Sequence, residues 1–156
     1  MPIQQLKDFL DERGVKYVVI SHSPAITAQE IAASAHVPGR ELAKTVLVKL
    51  DGEMAMAVLP ASYQVNLERL AEAAGARQAE LATEEEFGGR FPQCELGAMP
   101  PFGNLYDMRV YVARGLQEDD EIAFNAGSHS ELIRLRYEDF EKLVQPKVAS
   151  FTTRTD

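Results

Sequence analysis

Residues 43–59, AKTVLVKLDGEMAMAVL, constrain this chain more than any other stretch. Two runs rich in valine, leucine, methionine and alanine flank Asp51-Gly52. That pair suits a two-residue turn, because its central positions favour residues that tolerate positive φ. The segment reads as a β-hairpin, with one strand over residues 43–50 and a returning strand over 54–59. Around it, helix and strand signals alternate irregularly. Ile3, Leu6, Phe9 and Leu10 recur at helical spacing, and Gly14 offers the stop. Residues 15–20 read as a short strand. Ser21-His22-Ser23-Pro24 is a loop, since proline disfavours helix before it. Thr27 with Glu30 forms a capping box for a helix to about Ala35, ended by Val37-Pro38-Gly39.

Downstream, Asn66 caps the helix LERLAEAAG, which Gly75 closes. Thr83 with Glu86 caps a short helix through Phe87. A loop rich in glycine and proline follows over residues 97–103. Residues 106–113, 121–124 and 131–136 read as strands, and 137–144 as a helix stopped by Pro146. The last ten residues, from Lys147, are expected to be a polar tail with little to bury. The pattern predicts one mixed α/β domain over residues 1–146, built on a largely antiparallel or mixed sheet, with 147–156 as the tail.

Charge and composition exclude several function classes. The formal net charge is −8 over 156 residues, so long stretches of duplex or ribosomal RNA are poor partners, whose non-specific affinity needs many cationic contacts. A partner with one small anionic feature stays compatible, with Arg40, Lys44 and Lys49 as the expected local cations. One cysteine, Cys94, leaves no internal disulfide. The N-terminus is amphipathic and charged rather than a signal peptide, and no run nears the roughly 18 apolar residues of a span. A cytoplasmic protein with no membrane association is expected.

Three segments carry candidate chemistry. Period-two counting puts Lys44 on one strand face with Val46, Val48 and Leu50, and Lys49 on the other, solvated. Lys44 reads either as a strand-end lysine whose amine reaches water, or as an amine at a cavity rim that binds a carbonyl or phosphate oxygen. The loop Gly97-Ala98-Met99-Pro100-Pro101-Phe102-Gly103 reads either as a stiff connection or as a backbone surface aimed at a carbonyl oxygen. Asn125-Ala126-Gly127-Ser128-His129 reads either as a tight turn between short strands or as a pocket mouth. Ser128 and His129 are not expected to form a nucleophile–base dyad, since neighbours on extended backbone point apart. His22 is a loop residue that can line a site; His36 is a solvated helix-end histidine. Cys94 reads as a small apolar residue without a neighbouring base. Three scattered histidines and one cysteine make no zinc spacing. No P-loop or dinucleotide fingerprint occurs, and no cofactor is expected.

Together and in order, these residues carry a resemblance. His22 with Thr27 and Glu30, Ala43-Lys44-Thr45-Val46, the 97–103 loop, and Phe124-Asn125-Ala126-Gly127-Ser128-His129 resemble the YbaK family. That family also occurs as the editing insertion of bacterial prolyl-tRNA synthetases. The resemblance covers about residues 1–146. It implies a compact α/β fold with a curved, mixed sheet wrapped by helices. It also implies hydrolysis of the ester joining a wrong amino acid to the 3′-terminal adenosine of tRNA. The partner implied is the tRNA acceptor end, and the family context leaves room for an aminoacyl-tRNA synthetase as a second. Lys44 matches the family's functional lysine. His22, Thr27, Gly97, Ala98, Met99, Pro100, Pro101, Asn125, Gly127, Ser128 and His129 are the expected substrate-binding residues. Family members differ in the amino acid they remove. Two other function classes stay open: a module of the same fold that binds an aminoacyl or nucleotide end without turnover, and an enzyme forming a Schiff base on Lys44.

Overall fold

The computed structural model describes residues 3–22, 41–95 and 97–154. Thr27 and Glu30 with the helix expected there, His36 and Arg40 lie outside the described residues. The strands are β1 (Tyr17–Ser21), β2 (Leu42–Leu50), β3 (Glu53–Pro60), β4 (Tyr63–Val65), β5 (Ala79–Leu81), β6 (Arg109–Ala113), β7 (Glu121–Ser128), β8 (Glu131–Arg136), β9 (Lys147–Ala149) and β10 (Thr152–Arg154). The helices are α1 (Gln4–Glu12), α2 (Leu67–Ala74), α3 (Glu84–Phe87), α4 (Arg114–Gln117) and α5 (Tyr137–Val144). None of the described helices is long and apolar enough to cross a membrane.

The hairpin forms as expected. β2 and β3 pair antiparallel from Ala43↔Pro60 to Leu50↔Glu53. Asp51 and Gly52 have φ of 51° and 85°, a turn whose twist matches that of its strands. The Asp51 carboxylate accepts hydrogen bonds from the amides of Arg77 and Gln78, which hold its pKa below the usual value. Asn66 Oδ1 accepts from Arg69 N, and Thr83 and Glu86 form the reciprocal capping box.

The curved, mixed sheet has the order β1-β8-β7-β2-β3-β6-β9, with β5 also on β2. The β2–β7, β3–β6 and β6–β9 pairs are parallel. The central strands β2, β3 and β6 are buried on both faces. Leu47, Met56, Val58, Val110 and Val112 face one core with Leu6 and Leu10 of α1 and Phe140 of α5. Val48, Leu59 and Tyr111 face the other, with Leu70 of α2 and Phe151. Continuous apolar runs are what such doubly covered strands require.

Three expectations need correction. The polar tail is, over the described residues 147–154, two strands: β9 lies parallel to β6, and β10 pairs with β4. Ala149 and Phe151 are buried. Single apolar residues among polar ones carry no period, so only their partner strands reveal this burial. The strand expected over 121–124 continues to Ser128 through a register shift after Asn125. Asn125 and Ser128 therefore belong to β7, and the turn is His129-Ser130. The strand expected from Tyr106 starts at Arg109, because a 3-10 turn at Gly103–Leu105 and φ of 56° at Asp107 occupy the preceding residues.

Candidate active site

Among the described residues, one edge of β2 is paired at both ends and open between them. Leu42 and Ala43 pair with Ala123 and Phe124 of β7. Val48, Lys49 and Leu50 pair with β5, and Leu47 O accepts from Ala82 N. Lys44, Thr45 and Val46 border the opening where β7 parts from β2. Past Phe124, the β7 backbone takes other partners. Ala126 O accepts from Ile3 N at 3.1 Å, Gly127 N donates to Ala98 O at 2.9 Å, and Gly127 O accepts from Glu95 N at 2.7 Å. The 95–98 loop is thus fastened to the end of β7.

His129 completes the same cluster. Its amide donates to Glu95 Oε2 at 3.4 Å, and its ring lies against Gly97, where an added Cβ would stand 3.6 Å from Cε1. His22 enters from β1, with its amide donating to Ser130 O at 2.8 Å. Ser128 is buried, and its Oγ lies 3.4 Å from Ser130 Oγ. The fold therefore brings His22, Gly97, Ala98, Gly127, Ser128 and His129 together, while Thr27 is outside the described residues. Glu95 is a member that sequence reasoning missed. An exposed glutamate in a loop has no period or spacing to mark it.

The loop's side chains pack inward. Ala98, Met99 and Phe102 are buried, as are Pro100 and Pro101. Met99 and Phe102 belong to the core that contains Leu6 and Phe140. What the loop offers is backbone. Ala98 N donates to Glu95 O at 3.0 Å. Among the described residues, the Gly97 and Met99 amides have no protein acceptor. Two undischarged amides flanking one residue are the kind of donor pair that stabilises a developing oxyanion.

Lys44 lies on the face of β2 that carries Val46, Val48 and Leu50, as period two requires. It is half-buried, and burial lowers its pKa from the ordinary lysine value of 10.5. Among the described residues it forms no ion pair. Lys49, on the other face, is not simply solvated: its amine pairs with Glu80 at 3.3 Å and with Glu86. These contacts raise its pKa and bring that of Glu86 down to about 2. Lys49 is therefore engaged away from Lys44 and does not form a local cationic cluster with it. Cys94 Sγ lies 3.8 Å from Tyr106 Oη, and burial pushes its thiol pKa up, which suits packing rather than nucleophilic attack. Among the described residues, no group of three or more His, Cys, Asp or Glu side chains could hold a metal ion. A cleft of about 570 Å³ beside α5, lined in part by Asp119, Arg136, Tyr137 and Glu141, contains none of the expected site residues.

Gly97 has φ of 82°, a left-handed conformation that costs an L-residue roughly 1–2 kcal/mol. Gly97→Ala is expected to destabilise the fold by about that amount in urea titration. It should slow the site's chemistry by more than about tenfold, because small displacements of aligned groups are costly. Unchanged rate and stability would remove the loop from the site.

Comparison with known proteins speaks to the family and the fold. The aminoacyl-tRNA editing domain matches residues 22–143. Over 153 residues the chain is 28% identical to the multifunctional Ser/Thr-tRNA deacylase ProXp-y of Escherichia coli strain K12, covering 95% of this chain and 91% of that protein. It is 24% identical over 148 residues to the prolyl-tRNA editing protein ProX of Acetoanaerobium sticklandii, covering 91% and 90%. A crystal structure of a protein assigned provisionally as a trans-editing enzyme for prolyl tRNA synthetase superposes with a TM-score of 0.82 at 20% identity, covering 96% of each chain. The fold, the shared length and the domain match lead to one conclusion: this chain belongs to the aminoacyl-tRNA editing domain family, the YbaK family.

Proposed function

We propose that the protein is a trans-editing hydrolase. It cleaves the ester between a wrongly attached small amino acid and the 3′-terminal adenosine of tRNA. The observation that carries this reading is the opening between β2 and β7: half-buried Lys44 stands on its β2 side, and the loop fastened to the end of β7 carries two amides with no acceptor among the described residues. An aminoacyl ester is already activated, so no strong protein nucleophile is required. The Gly97 and Met99 amides orient the carbonyl and take up its developing negative charge. Lys44 holds the carbonyl oxygen or the terminal phosphate as a point charge. Water attacks the carbonyl carbon, and the 3′-oxygen of the adenosine leaves with a proton. His22, Ser128 and His129 wall the site on the β7–β8 side. The net charge of −8 suits contact with the acceptor end alone rather than the whole tRNA. The protein acts in the cytoplasm on tRNA already released by a synthetase, and a synthetase can serve as a docking partner.

The test is deacylation of a panel of tRNAs mischarged with alanine, serine, threonine and larger amino acids, with and without a chelator. Release of a small amino acid at an unchanged rate in chelator is the expected result. Tight tRNA binding with no release would make the protein a binding module instead. A rate lost on chelation and restored by zinc would overturn the metal-free mechanism.

A further inference from the structure

One row across the sheet combines apolar and polar residues in an unusual way. Ile20 of β1 pairs with Leu132 of β8, which pairs with Asn125 of β7. On the far side, Lys44 pairs with Leu59 of β3. The last β2–β7 pair is Ala43↔Phe124, and both members face the same core. Lys44 and Asn125 are the next residue along each parallel strand, on the opposite face, at the point where the two strands part. Leu132 and Leu59 are fully buried. Two polar side chains therefore flank the opening, each with an apolar residue as its strand partner on the far side. A structural pair in that position would bond to each other, but no Lys44–Asn125 hydrogen bond forms among the described residues. Instead, Asn125 Oδ1 is buried with no hydrogen-bond partner among the described residues.

We infer that Asn125 Oδ1 is the acceptor for the α-amino group of the aminoacyl ester, so that the site selects esters of amino acids whose amine is free. This rests on the hydrolase reading above. Lys44 on one side of the opening is a donor only, and the carboxamide oxygen of Asn125 on the other is an acceptor only. An aminoacyl ester offers a matching pair at short range: a carbonyl oxygen that accepts and, on the adjacent carbon, an amine that donates. A buried acceptor left unpaired is costly, as is an amine brought out of water without one. Each removes the other's cost. The terminal ribose hydroxyl is a poorer match, since it donates and accepts and can turn towards either group.

The experiment compares seryl-tRNA with tRNA carrying 3-hydroxypropionate, which is serine without its amine. Both are cleaved by wild type, Asn125→Leu and Asn125→Asp. The wild-type preference for seryl over the des-amino ester is expected to fall by about tenfold to a hundredfold in Asn125→Leu. It is expected to survive in Asn125→Asp, which keeps an acceptor. Intrinsic ester reactivity cancels in the comparison of preferences. A purely structural asparagine would slow both substrates equally and leave the preference unchanged, which would overturn the inference while wild-type hydrolysis still upheld the activity. A 2′-deoxyadenosine terminus is the third arm. If Asn125→Leu instead abolishes sensitivity to the missing 2′-hydroxyl, the acceptor serves the ribose and the inference fails. If Asn125→Leu does not fold, the Asn125 side-chain amide resonances of wild type decide. They should shift with 3′-deoxy-3′-(serylamino)adenosine and stay unmoved by its des-amino counterpart; equal shifts with both would overturn the inference.

Discussion

Lys44→Ala is expected to lower deacylation on the order of a hundredfold or more, by analogy with loss of an oxyanion-hole donor, while the protein still folds. The lysine shares its face of β2 with Val46 and Val48 and lies next to the last residue paired with β7. In a partly dehydrated site its charge acts more strongly on a substrate oxygen than it would in bulk water. Stability should survive for the same reason. Burial lowers the Lys44 pKa in the folded protein, so the charged form weakens the fold below that value, and the penalty fades as pH rises towards the unfolded value. Removing the lysine relieves a cost. The pH dependence follows in sign: binding of a non-hydrolysable aminoacyl analogue is strongest below the lowered pKa. It weakens as pH rises through that value, which lies below the ordinary 10.5. Lys49→Ala is the control, since its amine is committed to Glu80 and Glu86 on the other face. Full activity in Lys44→Ala, or loss only through unfolding, would show the lysine to be structural.

Phe151→Ala is expected to destabilise the protein by about 3–5 kcal/mol, a large part of the stability of an ordinary domain. Phe151 has 0% exposure and shares a core with Leu59, Leu70 and Tyr111. Its carbonyl accepts from the amide of Asn66, the cap of α2, at 2.6 Å. The substitution therefore empties a core position beneath the β4–β10 ribbon. The midpoint of urea unfolding is the measurement, and removal of residues 147–156 should lower it further. A shift below about 1 kcal/mol, typical of a surface position, would mean that the end of the chain is dispensable.

These two positions divide differently between sequence and structure. The hairpin was legible because its information is local: Asp51-Gly52 turns, and apolar residues on either side pair. The caps at Asn66 and Thr83 were legible for the same reason, each being a side chain that meets an amide three residues on. Lys44 could be placed on its strand face by counting, and its order with the 97–103 loop and the 125–129 segment carried the family resemblance. Phe151 could not be placed. One aromatic among lysine, serine and threonine has no period, and its burial depends on β4, whose residues lie more than 80 positions earlier.

The sequence by itself determined the elements whose stabilising contacts lie within a few residues, the identity of the site-forming segments, and the side of β2 on which Lys44 stands. Tertiary structure alone decided how those segments meet. It made Asn125 part of a strand rather than a turn, because β8 supplies its pairing partner Leu132. It fastened Glu95 and Ala98 to Gly127, and it turned the side chains of Met99 and Phe102 into the core. It parted β7 from β2 just beyond Phe124 and so opened the edge beside Lys44. The physical reason is the range of the interactions. Turn and cap preferences act over a few residues, whereas strand pairing and burial join residues that the chain separates by dozens, and no local pattern encodes which of them will meet.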